Sequence, residues 1–363
     1  MTNSNPSNPT PPPLDRRKFL KAASFGALAM SFAHLPDFFK QEKMGIVVHS
    51  YGVRWQSKTA SDKYPAFMDA IDFMKHCHAI GAGGIQVGVR DWKEDFAKKV
   101  RDHRERLGLY LEGSIALPKK QGDVASFDHE VKSAREAGAS VLRTVSLGPR
   151  RYEALHSYHE FQEFQNNALT ALQLVEPVLK KYRVRLAVEN HKDWRAQELV
   201  DILKKVDSEW IGVTLDFGNS LALLEDPLYT ANTLAPFVFS THIKDMAVDQ
   251  YEKGFLLSEV PLGQGILDLQ AIARLCRQHN PKVTFNLEMI TRNPLEIPCL
   301  THGYWTTFEG VSGMELAPVL KLVREKKTTL PRIDKLNAEE LLAEEEKNVT
   351  LSLDFSKNTL IFN

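Results

Sequence analysis

Three carboxylates and one imidazole recur along the second half of the chain in a pattern that suits a cation. Glu189, Asp216, His242 and Glu288 are separated by 27, 26 and 46 residues. Each closes a short stretch that reads as a strand: Leu186-Ala187-Val188-Glu189, Val213-Thr214-Leu215-Asp216, Phe239-Ser240-Thr241-His242 and Phe285-Asn286-Leu287-Glu288. Three acids gathered at one place repel one another unless a cation sits among them. Oxygen donors with one nitrogen suit one divalent metal ion, Mn²⁺, Mg²⁺, Co²⁺ or Zn²⁺, and composition alone does not choose among these. Such an ion next to a carbonyl can hold the charge that develops when a proton leaves the neighbouring carbon, with side chains on either face acting as base and acid. The competing account makes each residue an isolated polar strand end that caps the next helix. It weakens when all four fall in register.

Other residues are candidates around this set. His191, two residues past Glu189, reads as a substrate contact or acid/base, or as a histidine at a helix start. Lys244, two beyond His242, points to the same side of an extended strand; it would polarise a substrate oxygen or sit in a structural ion pair. Arg143 and Glu112, on earlier strands, either line the same mouth or pair with each other. His49 reads more readily as a satisfied core histidine than as a pocket residue. Trp92, Trp194, Tyr304 and Trp305 fall in segments after strands, where aromatic faces stack on sugar rings. Each alone reads as packing, and Trp92 and Trp305 are retained as substrate candidates. His76-Cys77-His78 is set aside, because helical residues two apart face away from each other.

The elements that would position these groups alternate. Apolar, β-branched runs suggest strands at Met44–Tyr51, Ile85–Val89, about 109–115, 140–146, 184–189, 211–216, 237–243 and 283–289. Between them lie helical patterns at Tyr64–Cys77 and about 94–107, 127–137, 158–182, 196–206, 226–235 and 268–279, with an irregular stretch after 245. Alternating strands and helices imply a parallel sheet. Eight such units predict an α/β fold of the (β/α)8 TIM-barrel type, whose chemistry sits at the C-terminal ends of the strands. The first two gaps between the metal-type residues are then one unit each, and the third is one unit plus an insertion at 245–262. No GxGxxG follows the first strand, which weighs against a nucleotide-binding sheet.

At these strand ends the chain resembles the xylose-isomerase-like sugar phosphate isomerase/epimerase barrels. The stretches that carry the likeness are AVENH at 187–191, TLDFGN at 214–219, STHIKD at 240–245, PLGQGILD at 261–268 and NLEM at 286–289. The resemblance implies that Glu189, Asp216, His242 and Glu288 ligate the metal and that Glu189 and Glu288 also transfer protons. It implies a metal-dependent isomerase or epimerase acting through an ene-diolate on a small carbohydrate. It further implies close backbone packing at Gly263-Gln264-Gly265. The ketose 3-epimerases of this group carry a substrate-binding His where Asn219 stands and an Arg where Val248 stands. Asn219 thus becomes a substrate-binding candidate, and a simple free-ketose epimerase is disfavoured. Exported relatives include enzymes thought to act on 3-keto-glycosides, so a lyase or hydratase using the same acid/base pair is the alternative. A non-catalytic sugar-binding barrel comes third.

Composition and the termini complete the reading. The 363 residues carry 46 Lys+Arg against 46 Asp+Glu, a formal net charge of zero. That balance removes the basic footprint of a nucleic-acid binder. Cys77, Cys276 and Cys299 are too few and too scattered for a disulfide scaffold or a thiolate zinc site. Residues 1–36, with Arg16-Arg17-Lys18-Phe19-Leu20-Lys21 before an uncharged run from Ala22 to Ala33, resemble a twin-arginine export signal and predict a periplasmic or exported protein. The run is too short for a membrane span, which needs about 20 apolar residues. Residues 40–326 read as the barrel. Residues 327–363 read as an appendage on the barrel or on a partner, with a short amphipathic helix at Glu339–Glu346 and then an edge-strand alternation from Val349. A homo-oligomer is compatible with all of this.

Overall fold

The structure is a computed structural model that describes residues 43–360. The segment expected to be an export signal lies outside the described residues. Eight strands close a parallel barrel: β1 (Gly45–Val47), β2 (Gly84–Gly88), β3 (Tyr110–Ser114), β4 (Val141–Thr144), β5 (Arg185–Glu189), β6 (Ile211–Asp216), β7 (Val238–Ile243) and, after two strands outside the barrel, β10 (Thr284–Leu287). Each strand pairs with the next in chain order, and β10 closes on β1 through Gly45 opposite Asn286. The predicted barrel is therefore present, and the strands are short because their apolar runs are short. The first is shorter than its pattern suggests: Val48–Tyr51 turn into a 3-10 helix, which takes His49 out of the sheet.

Helices pack outside the strands where polar starts and apolar faces allow. Asp69 accepts from the backbone amides of Ile71 and Asp72 and starts the helix Ala70–Ala79. Ser157 does the same for the long helix Tyr158–Tyr182. That helix buries Phe161, Phe164, Ala168, Leu172, Val175 and Leu179, spaced three or four apart, on the main core.

The stretch from 245 to 262 is not irregular. It is a hairpin of β8 (Asp245–Tyr251) and β9 (Gly254–Val260), joined by a turn at Glu252-Lys253 and extended by β11 (Leu295–Ile297). Met246, Val248, Phe255 and Leu257 face Tyr304, Val319 and Val323 in a second hydrophobic cluster. The period-two spacing of 246 with 248 and of 255 with 257 is the signature of a half-buried strand pair. Just beyond the hairpin, the turn expected to pack closely wraps a side chain. The backbone amides of Gly263, Gly265 and Leu267 all donate to the Asp245 carboxylate. Gly263 has φ of +84°, and a Cβ on Gly265 would lie 2.1 Å from Asp245 Oδ1.

The tail also differs from expectation. There is no edge strand after Val349; Ala338–Asn358 form one helix, begun by a reciprocal cap between Asn337 and Glu340. Its buried residues Leu342, Glu345, Val349, Ser352, Leu353 and Ser356 recur every three or four positions. Helical periodicity outweighs the β-branched character of the run. The helix lies against β10 and the turn after β1, and Val349 and Leu353 join the main core. Glu345 accepts from the amides of Val53 and Arg54 at 2.7 and 3.1 Å. What reads in sequence as an appendage thus supplies the outer helix at the seam where the barrel closes.

Candidate metal centre

The strand ends deliver the four residues to one spot. Glu189 ends β5, Asp216 ends β6, His242 lies in β7 directly opposite Asp216, and Glu288 follows β10. One ligand atom from each lies within 4.8 Å of all the others, and all four residues are buried.

The imidazole orientation identifies what the cluster is built for. His242 Nε2 donates to Gln86 Oε1 at 2.7 Å, and the Gln86 amide nitrogen donates to Glu112 Oε2 at 2.9 Å, which fixes the direction of the amide. Glu112 is anchored in turn by Ser240 Oγ, Asn286 Nδ2 and Thr284 Oγ1. The other ring nitrogen, Nδ1, is buried without a hydrogen-bond partner. It faces Glu189 Oε2 at 3.4 Å, Glu288 Oε1 at 3.5 Å and Asp216 Oδ2 at 4.0 Å. Two donors bound to one cation at about 2.0–2.2 Å stand about 3.0–3.5 Å apart, so the spacing is that of ligands around an ion. The residues fit a divalent metal.

The acids are not left to repel one another, because the chain supplies cations of its own. Arg143 donates Nε to Glu189 Oε2 at 2.6 Å, and its NH2 group reaches the same oxygen. Lys244 Nζ bridges Glu288 Oε2 at 2.5 Å and Asp216 Oδ2 at 2.7 Å. The second contact is a charge contact without hydrogen-bond geometry, which leaves Asp216 Oδ2, like His242 Nδ1, unsatisfied. Asp216 Oδ1 accepts the amides of Gly218 and Asn219, so Oδ2 is the oxygen turned to the centre. Burial opposes ionisation of Glu189 and Glu288, but Arg143 with His242, and Lys244 with His242, hold them well below the usual carboxylate range. Burial also works against a charge on His242, yet Glu288 and Glu189 outweigh it and raise the imidazole to about 9 when no metal is bound.

The remaining predicted site residues divide. His191 lies beside the centre with Nδ1 unpartnered, and burial pushes its imidazole down to about 3. Asn219 is in the cluster, with Nδ2 on Glu189 Oε1 at 3.0 Å. Arg143 and Glu112 do not pair with each other: Arg143 serves Glu189 and Ser114, while Glu112 sits one layer deeper. Arg143 is thus engaged with Glu189. His49 is no core histidine; its side chain is 46% exposed and its Nδ1 lies 3.0 Å from Glu288 Oε1, which marks the open side of the centre. Trp92 packs edge-on against Phe96 in the main core, and Trp305 donates Nε1–H to Cys299 O inside the second cluster. Both indoles are packing residues, and the substrate-stacking role expected of them is not supported. Trp194, against Phe161 and Phe164, and Tyr304, against Phe308, pack likewise.

Sequence reasoning missed Gln86, Lys192 and the Glu259–Arg292 pair. Gln86 carried a signal, a lone polar residue inside the apolar run Gly84-Ile85-Gln86-Val87. Lys192 follows His191 directly and donates Nζ to Asn219 Oδ1. Glu259, on β9, pairs with Arg292. A cavity of about 830 Å³ bounded by Arg195, Glu225, Tyr229 and Met314 contains none of the ligands. Its Arg195 forms ion pairs with Glu225 and Glu315.

With the centre defined, its kinship is clear from comparison. The model of the family described as "Xylose isomerase-like TIM barrel" matches residues 74–301. The chain belongs to that family. Among curated relatives of this family member is the 3-oxo-isoapionate decarboxylase of Pectobacterium atrosepticum, 25% identical over 272 residues, covering 72% of this chain and 92% of the relative. A D-psicose 3-epimerase structure matches with a TM-score of 0.58 at 13% identity, over 88% of this chain and all of the epimerase (100%). A xylose isomerase-like barrel from Mycobacterium smegmatis in complex with magnesium matches with a TM-score of 0.51 at 15% identity, over 77% and 97% of the two chains. At such identities the two structural matches speak for the fold alone.

Proposed function

We propose that the chain is a divalent-metal-dependent enzyme that breaks a bond to the carbon next to a carbonyl of a carbohydrate, in the manner of an isomerase or epimerase. The observation that carries this reading is His242 Nδ1, which has no hydrogen-bond partner and faces three carboxylates while Nε2–H is committed to Gln86. A divalent ion held by Glu189, Asp216, His242 and Glu288 supplies Lewis acidity toward a substrate oxygen. Arg143 and Lys244 keep Glu189 and Glu288 ionised, and Asn219 helps to aim Glu189. His191, with an unpartnered nitrogen beside Glu189, is the group available to hydrogen-bond a substrate hydroxyl. His49, at the open side, brackets the substrate from the opposite edge.

One observation favours a second reading, cleavage by a lyase or decarboxylase. Epimerisation needs two opposed groups that exchange protons with carbon. Here Glu189 accepts from Arg143 and Asn219, and Glu288 meets Lys244 and His49, so both are weak bases. Chemistry that needs only one proton-transfer group makes less demand on them. The relative from Pectobacterium, named for decarboxylation of a 3-oxo compound, is consistent with this.

Incubating the Mn²⁺-loaded protein in D₂O with free ketoses, 3-keto-glycosides and oxo sugar acids tests both. Deuterium at the carbon next to the carbonyl with an intact skeleton supports the isomerase or epimerase; release of an alcohol or CO₂ supports cleavage. No metal-dependent change in any of them refutes the function. Export is part of the proposal, supported by Arg16-Arg17 and the uncharged run after them; cell fractionation of a tagged Arg16→Lys/Arg17→Lys variant checks it.

A further inference from the structure

The buried cations around the centre have carboxylate partners, with one exception. Arg143 pairs with Glu189, Lys244 with Asp216 and Glu288, and Arg292 with Glu259. Lys192 is 3% exposed. Its hydrogen bond goes to the uncharged amide oxygen of Asn219, and among the described residues no carboxylate forms an ion pair with it. The nearest acid in sequence, Asp193, is turned to the backbone amides of Leu147 and Trp194 at 3.1 and 2.9 Å.

The Asn219 oxygen that Lys192 contacts is also 3.5 Å from Lys244 Nζ. Two ammonium groups therefore converge on one neutral oxygen. Asn219 cannot turn away, because its Nδ2 donates to Glu189 Oε1 at 3.0 Å and its backbone amide to Asp216 Oδ1 at 2.8 Å. A buried ammonium without a counter-charge is a costly arrangement unless something arrives to complete it. The carboxylates Glu189, Asp216, Glu288 and Glu259 are in direct contact with Arg143, Lys244 and Arg292 and act on Lys192 only at longer range, and a divalent ion adds two further positive charges to the group. Burial, with Lys244 next, pulls the Lys192 ammonium down to about 8, the direction an uncompensated cation takes.

We propose that Lys192, together with Lys244, forms an anion subsite beside the metal centre that takes a carboxylate of the substrate. The substrate is then a sugar acid, an oxidised carbohydrate, and not a neutral ketose. The substrate assignment rests on the carbonyl chemistry proposed above; the recognition of a carboxylate does not.

Calorimetry on the Mn²⁺-loaded full chain tests the subsite without turnover. D-Gluconate is the anionic probe and sorbitol its neutral counterpart. The wild type is expected to bind gluconate at least tenfold more tightly than sorbitol. Lys192→Met is expected to lose at least tenfold for gluconate while leaving sorbitol and Mn²⁺ affinities within about twofold. Lys192→Gln, which keeps a donor without the charge, is expected to lose as much as Lys192→Met. The proposal is overturned if the wild type shows no preference for gluconate or does not bind it. It is also overturned if either variant binds gluconate like the wild type, or if Mn²⁺ and gluconate binding fall together, which would make Lys192 a structural residue. Failure of the carbonyl chemistry would show only in the D₂O experiment and would leave these affinities unchanged.

Discussion

Gln86 Oε1 accepts the Nε2–H of His242 across the barrel at 2.7 Å. That bond decides which imidazole nitrogen carries the proton and which is left for a cation, as the partners of metal-bound histidines generally do.

Gln86→Leu therefore should weaken Mn²⁺ binding by about 10–100-fold, the usual cost of removing such a partner. It also takes one donor from Glu112 Oε2 and leaves the Nε2–H of His242 buried without an acceptor, at about 1–3 kcal/mol each. Calorimetric titration with Mn²⁺ gives the first quantity and denaturant unfolding the second. Unchanged affinity would mean that the imidazole is held by packing alone.

The same histidine makes metal binding depend on pH. Without metal, Glu288 and Glu189 overcome burial and hold His242 at about 9, so near neutral pH a proton occupies the nitrogen a metal needs. Raising the pH removes that competitor. Affinity for Mn²⁺ should rise about tenfold per pH unit and level off near pH 9, with about one proton released per ion bound. Binding constants across this range in two buffers of different ionisation enthalpy measure both; a flat profile contradicts the assignment of Nδ1 as a ligand.

Arg143 and Glu189 are a buried pair, so removing one partner strands the other. Arg143→Met is expected to destabilise the metal-free protein by about 3–5 kcal/mol. The double variant Arg143→Met/Glu189→Leu should recover much of that loss, because no lone charge remains. Urea unfolding of the two variants beside the wild type decides; equal losses would show that the pair adds nothing specific.

The helix Ala338–Asn358 should be part of the folded unit. Leu353 is 2% exposed in the main core, and Leu353→Ala is expected to cost about 2–5 kcal/mol in urea unfolding. Deletion from Ala338 onward removes Glu345 as acceptor for the Val53 and Arg54 amides and bares the seam between β10 and β1. Soluble recovery of the deleted chain with full Mn²⁺ affinity would show that the barrel closes without it.

Much of the site was legible in the sequence, for a local reason. A strand alternates every two residues, and a polar residue that ends an apolar run must sit at the strand's edge. Glu189, Asp216, His242 and Glu288 could be placed from that rule and from the regular length of βα units. The hairpin Asp245–Val260 obeyed the same rule and was passed over because no helix separated its two halves. The tail misled because Val349, Thr350 and Leu351 favour strands locally, whereas a capped start at Asn337 and a core-facing stripe drew them into a helix.

What the sequence determined by itself, then, is the βα order of the chain and the four candidate ligands at its strand ends, since both follow from patterns within a few residues. Tertiary structure alone decided the partners. Gln86 and His242 are 156 residues apart, Glu112 and Asn286 are 174 apart, and Arg143 and Glu189 are 46 apart. No local rule joins such positions; closing the barrel brings them together, and burial then requires each polar atom to find a partner. Within the four-residue cluster His242 Nδ1 and Asp216 Oδ2 find none by hydrogen bonding, and they are where a metal fits.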